Sequence, residues 1–178
     1  MSSPPGPACW SKCPAHRLLI KSAPLSDEGT RRRIAALFAN HGVDTARLEL
    51  RGHVQSLGGH LAAYQDIDIA LDTFPYNGTT TTCEALWMGV PVIGLAGASH
   101  VSRVGVSILK AVGLEELLGA TIADYVRLAA SLAADHDRLA AFRSALRQRV
   151  ASSSLTNERD FCDRFATALE TMWREHMS

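Results

Sequence analysis

The chain has 178 residues, 47% of them hydrophobic and 20% charged, which is enough for one soluble domain with a real core. Its 18 basic and 18 acidic residues cancel, so no basic field draws nucleic acid or an anionic membrane surface. Apolar runs are short and interrupted, which excludes a membrane-spanning helix, and residues 1–8 lack the charged-then-apolar order of a secretory signal, so a cytoplasmic protein is expected.

Residues 1–16 read as an irregular, Pro-rich segment. Cys9 and Cys13 stand there without the further ligands a zinc site needs, and no metal is expected. Residues 17–21 read as a short strand. Residues 27–41 read as a helix, with Ile34, Leu37 and Phe38 at helical spacing and Gly42 as its stop. A second strand covers 48–50 and ends before Gly52, and a short helix covers 60–64. The apolar run 67–71 is a buried strand, broken by turn chemistry in Phe74-Pro75-Tyr76-Asn77-Gly78. The four threonines 79–82 then stand where a helix begins, with Glu84 in or near its first turn. A fourth strand covers 90–95, and a helix over 102–112 is closed by Gly113.

This alternation predicts an α/β fold with a parallel sheet covered on both faces. Ligands in such sheets bind beyond the carboxyl ends of the strands, where residues 72–82 lie. After Leu114 the pattern is wholly helical: 123–134, then 137–151, a break at Ser152-Ser153-Ser154, and a long helix over 156–176. Phe161, Phe165, Leu169 and Met172 form an apolar stripe along that last helix, as a core or docking face.

A helix start offers unpaired N–H groups and the positive end of the helix dipole. With up to four hydroxyls added, this one suits a phosphate or diphosphate, although a single Thr there also reads as an N-cap. Phosphates repel Glu84, which one turn further in is placed to accept hydrogen bonds from a ribose; by itself it also reads as a helix-start carboxylate. Cys83, beside the threonines, is a position where thiol reagents block the site without any catalytic part. Asp72 is the nearest carboxylate, in a strand-end position that is more often structural. No general base is identified.

The string Leu71-Asp72-Thr73, Asn77-Gly78-Thr79-Thr80-Thr81, Glu84, Leu86-Trp87 and Gly89-Val90-Pro91-Val92 resembles the donor-binding segment of the O-GlcNAc transferase family, including its Spindly-like and bacterial members. The resemblance continues through Ser102-Arg103-Val104 and ends in Met172-Trp173. It implies the second, Rossmann-like lobe of a GT-B glycosyltransferase over residues 17–178, all-helical from about residue 115, with a last helix that packs back onto the first lobe. Thr80 and Thr81 match threonines that contact the donor diphosphate, and Asn77 and Gly78 belong to the same motif. Thr79 falls where animal enzymes have a histidine. Glu84 matches an acidic ribose-binding residue, and His60 a histidine close to the nucleotide. Leu57 and Ala63 fall where animal enzymes have basic donor contacts. Lys21, ending the first strand, and Arg103 are further candidates for phosphate. By themselves Lys21 reads as solvated, Arg103 as paired with a carboxylate, and His60 as a capping or surface residue.

The resemblance implies transfer of N-acetylglucosamine, or a related sugar, from its UDP donor to a Ser or Thr hydroxyl of a protein acceptor. Positioned N–H and hydroxyl donors stabilise the charge that develops on the leaving diphosphate, so neither metal nor cofactor is expected. Members of the family place tetratricopeptide repeats and a first lobe before this segment. The expected partner is therefore a separate chain that supplies them, since half of a cleft binds nucleotide but catalysis needs both walls. One alternative is a non-catalytic nucleotide-binding or interaction module. Another is an epimerase-like GT-B enzyme, which needs acid and base carboxylates in the cleft. Apolar surface left open predicts self-association.

Overall fold

The computed structural model describes residues 16–177. Strands β1 (Leu18–Lys21) and β2 (Leu48–Arg51) pair in parallel, with Leu18 opposite Leu48 and Lys21 opposite Arg51. Strands β3 (Ala70–Leu71), β4 (Val92–Leu95) and β5 (Leu118–Gly119) form a second parallel sheet in that spatial order. The helices are α1 (Glu28–Asn40), α2 (Leu57–Ala62), α3 (Thr80–Trp87), α4 (Val104–Ala111), α5 (Ile122–Ala133), α6 (His136–Ala151) and α7 (Glu158–Met177). The α/β parallel architecture expected from the alternating pattern is present.

Local chemistry explains most boundaries. Asp27 caps α1 by accepting from the Thr30 N–H at 2.6 Å, and Gly42, at φ 75°, ends it. The helix expected over 60–64 begins earlier, because Ser56 caps the Gly59 N–H at 3.1 Å; its end tightens into a 3₁₀ turn, Ala63–Asp66. The strand expected over 67–71 contributes only Ala70 and Leu71 to the ladder, although Ile67 and Ile69 still pack on the core.

One expectation is corrected. The segment after Leu114 is not wholly helical: Leu118–Gly119 is β5, paired with Gly94 and Leu95 of β4. A two-residue strand leaves no periodic trace, and its pairing with β4 is a tertiary effect.

β4 is buried along its whole length and touches α4 and α5. Its surroundings include Leu86 of α3, Leu109 of α4, Leu132 of α5 and Leu146 of α6, all essentially inaccessible to solvent. Gly89 turns the chain from α3 into β4 at φ 82°, where an added Cβ would meet the Arg143 carbonyl oxygen at 2.8 Å. The Arg143 guanidinium of α6 clamps this corner by donating to the carbonyls of Ile67 (2.6 Å), Tyr64 (3.3 Å) and Met88 (3.3 Å). α7 differs from the other helices of the second half in burying no residue. No helix among the described residues is long and apolar enough to cross a membrane. Cys9 and Cys13, with the rest of 1–15, lie outside the described residues.

Candidate functional site

The loop between β3 and α3 is held by a closed set of hydrogen bonds. Asp72 follows β3, and its N–H extends the ladder to the Ile93 carbonyl at 3.0 Å. Its Oδ1 accepts from the Gly78 N–H at 2.7 Å, and its carbonyl accepts from the buried Tyr125 hydroxyl at 3.0 Å. Asn77 is buried; its Nδ2 donates to the Thr73 carbonyl (2.9 Å), its Oδ1 accepts from the Gly105 N–H (3.2 Å), and its N–H donates to the Val101 carbonyl (2.9 Å). The Thr82 hydroxyl donates to the Gly78 carbonyl at 3.0 Å. Asn77 and the Gly78 N–H are thus engaged within the protein and shape the loop. Gly78 also leaves no room for a side chain, since a Cβ there would meet Thr81 Oγ1 at 2.6 Å.

This loop delivers α3 beyond the carboxyl end of β3. Thr79 is its N-cap residue, yet no side chain caps the helix start. Thr79, Thr80 and Thr81 are exposed, whereas Thr82 is buried. The N-cap alternative for a single Thr therefore does not account for the run: three hydroxyls and the first-turn N–H groups stand open at the positive end of a helix.

Glu84 lies in the second turn of α3, at the end of a chain of contacts from three segments. Lys21 Nζ of β1 lies 2.6 Å from His60 Nδ1 of α2, and His60 Nε2 lies 2.8 Å from Glu84 Oε2. The Tyr64 hydroxyl reaches the Thr81 carbonyl at 3.2 Å and Glu84 Oε2 at 3.3 Å. Burial, and then the Glu84 carboxylate, push the Tyr64 phenol far above its usual range, so it stays a donor. His60 therefore faces Glu84, which leaves its capping or surface alternative unsupported. Tyr64 joins this cluster although sequence reasoning did not single it out. Its signal was its position four residues after His60, which puts both on one helix face, and the two rings meet edge to face at 5.9 Å.

Arg103 is not brought into this cluster. It is exposed, donates to the Gly97 carbonyl at 3.0 Å and pairs with no carboxylate among the described residues. Burial and the neighbouring Glu84 raise the Cys83 thiol above its usual range, which disfavours the reactive thiolate. No group of three or more potential metal ligands occurs among the described residues. The grooves lined by residues 151–162 belong to the break before α7 and share no residue with the cluster.

Asp72 Oδ2 is buried without a hydrogen-bond partner among the described residues, against Gly105, and burial raises its carboxyl pKa. A raised native value means that the folded protein binds the proton more tightly than the unfolded chain, so ionisation of Asp72 opposes folding above that value. Asp72→Asn removes this contribution. Relative to the parent, the variant is expected to be most favoured at pH 7 and to lose that advantage as pH falls from the raised native pKa to the ordinary carboxylate value. Urea unfolding at pH 7 and near the ordinary carboxylate value, about pH 4, measures the difference; an advantage that grows on acidification would contradict it.

The chain is similar to known proteins along most of its length. The profile of glycosyl transferase family 41 matches residues 14–165. The probable UDP-N-acetylglucosamine–peptide N-acetylglucosaminyltransferase SPINDLY of Petunia hybrida is 39% identical over 163 residues, 92% of this chain and 18% of the relative. The UDP-N-acetylglucosamine–peptide N-acetylglucosaminyltransferase of Caenorhabditis elegans is 34% identical over 137 residues, 77% of this chain and 12% of the relative. The solved structure of a Thermobaculum terrenum O-GlcNAc transferase mutant superposes with a TM-score of 0.90 at 37% identity, covering 96% of this chain and 33% of that one. The chain thus spans a small part of the length of the curated relatives it matches.

Proposed function

The chain belongs to glycosyl transferase family 41, and from that premise we propose that it is the donor-binding lobe of an enzyme that transfers N-acetylglucosamine from UDP-N-acetylglucosamine to Ser or Thr hydroxyls of a protein. The observation that carries this reading is the uncapped start of α3, where the exposed threonines 79–81 stand one turn ahead of Glu84. The donor diphosphate docks on those hydroxyls and the first-turn N–H groups. A ribose hydroxyl donates to Glu84. When the glycosidic bond breaks, its electron pair leaves with the diphosphate, and the fixed donors of α3 meet the added negative charge. This chemistry needs no metal.

The acceptor, its general base and the opposite wall of the cleft come from a first lobe, on the same or a separate chain, which covers the apolar stripe of α7. Free thiols at Cys83 and Cys162 fit the reducing cytoplasm as the place of action.

Calorimetric titration with UDP tests the site. Micromolar binding is expected, weakened about tenfold or more by Thr81→Ala and by Glu84→Ala, the scale of one hydrogen bond to a charged group. A folded chain that takes up no UDP at millimolar concentration sinks the reading and leaves a non-catalytic interaction module.

A further inference from the structure

We propose that Lys21 is a positioning residue which, acting through His60, fixes the Glu84 carboxylate so that one oxygen is held by the protein and the other is offered to a hydroxyl of the ligand. The ligand half of this statement rests on the donor-site reading; the protein half does not.

An ammonium group donates and never accepts. With Lys21 Nζ at 2.6 Å, His60 Nδ1 must therefore be the acceptor, so the ring is neutral and carries its hydrogen on Nε2. That hydrogen points at Glu84 Oε2, 2.8 Å away. The Tyr64 hydroxyl turns its donor to the same oxygen and to the Thr81 carbonyl. Glu84 Oε2 is thus committed to two protein groups. Glu84 Oε1 has no protein partner among the described residues, and it is not among the buried orphan atoms, so it is open to solvent. A carboxylate held by one oxygen has a set orientation. Its free oxygen accepts from a hydroxyl and repels phosphate.

Lys21, His60 and Glu84 come from β1, α2 and α3, separated by 39 and 24 residues along the chain. Among the described residues the two sheets share no strand pairing, so this relay is a polar link between the β1–β2 sheet and the helix that starts the donor site. Removing Lys21 therefore acts on Glu84 at a distance, by freeing the ring held between them.

The test begins without ligand. Long-range nitrogen–proton correlation spectra of the full chain report the tautomer of each of its seven histidines, and His60→Asn identifies the His60 signals. The expected parent spectrum shows His60 with hydrogen on Nε2. Because the Glu84 carboxylate still accepts from Nε2–H, Lys21→Met should leave that hydrogen in place but move the His60 Nδ1 resonance to that of an unengaged acceptor nitrogen, and Lys21→Arg, which keeps a donor, should restore the parental shift. Hydrogen on Nδ1 in the parent, or an unchanged Nδ1 resonance in Lys21→Met, overturns the relay.

The second readout is the affinity ratio between UDP and 2′,3′-dideoxy-UDP. The parent should prefer UDP by about tenfold, as expected for one hydrogen bond to a carboxylate. Lys21→Met should collapse the ratio towards that of Glu84→Ala, and Lys21→Arg should recover it. If UDP binds and Lys21→Met keeps the parental ratio, the positioning role is overturned while the donor site stands. If neither nucleotide binds but the Nδ1 resonance responds as expected, the donor reading fails while the relay stands.

Discussion

Replacing Asn77 by alanine is expected to cost about 1–3 kcal/mol of folding stability, the scale of one buried group, the Gly105 N–H, left unpaired. Asn77 is 2% exposed, and it alone joins the Thr73 carbonyl to the Gly105 N–H. Alanine leaves the buried Gly105 N–H without a partner, while the carbonyl of the exposed Thr73 turns to water. It also frees the loop that carries Gly78, the residue whose N–H ties α3 to Asp72. UDP binding should therefore fall in the same variant although Asn77 is assigned no contact with the ligand. Asn77→Asp keeps the acceptor for Gly105 but loses the donor to Thr73, and it places a second carboxylate near Asp72, so no rescue is expected. Thr80→Ala is the control: an exposed side chain should change stability by no more than about 0.5 kcal/mol while still weakening UDP binding. Urea unfolding and calorimetry on the three variants check all of this. Parental stability in Asn77→Ala would show that the loop is held by something else.

That loop also marks how far the sequence can be read. The order strand, turn, threonine run, helix is a local pattern, and the structure reproduces it with Asp72 at the strand end and Thr79 at the N-cap. The open helix start was legible because helix termini expose N–H groups by geometry alone. What the pattern does not carry is pairing at a distance. Lys21 and His60 each read as isolated polar residues, and nothing in their spacing shows that they touch. Asn77 and Gly78 read as candidate site residues by motif, yet only the fold shows that their polar groups face inward. β5 was invisible because it is shorter than any strand period and owes its conformation to β4. The α6 clamp was invisible for the same reason: Arg143 looks like one more charge on a basic helix until its donors meet carbonyls some 55 to 79 residues away.

The isolated chain should self-associate, and Phe165→Glu combined with Met172→Glu should return it to a monomer. α7 buries none of its 20 residues. Phe161, Phe165, Leu169, Met172 and Trp173 are 51–65% exposed, and they recur at the spacing of one helix face. An apolar stripe of this kind is a contact surface rather than a solvent face. The structure thereby decides between the two readings the periodicity allowed: within this chain the stripe is not core. Left alone, α7 is supported by ion pairs such as Asp160 with Arg164 and Glu170 with Arg174, each worth only about 0.2–0.5 kcal/mol. Most helical stability in proteins comes from packing of an apolar face. Two effects should therefore appear together on dilution or in the double variant: light scattering falls to the monomer mass, and the circular-dichroism helix signal drops by part of α7. Urea unfolding of the α/β core should shift by less than about 0.5 kcal/mol, because the substituted side chains touch none of it. A first lobe added in trans should restore the helix signal in the parent and fail to do so in the double variant. A chain that is monomeric at high concentration with α7 fully helical would remove the docking role of the stripe, and with it the argument that this face belongs to the cleft's other half.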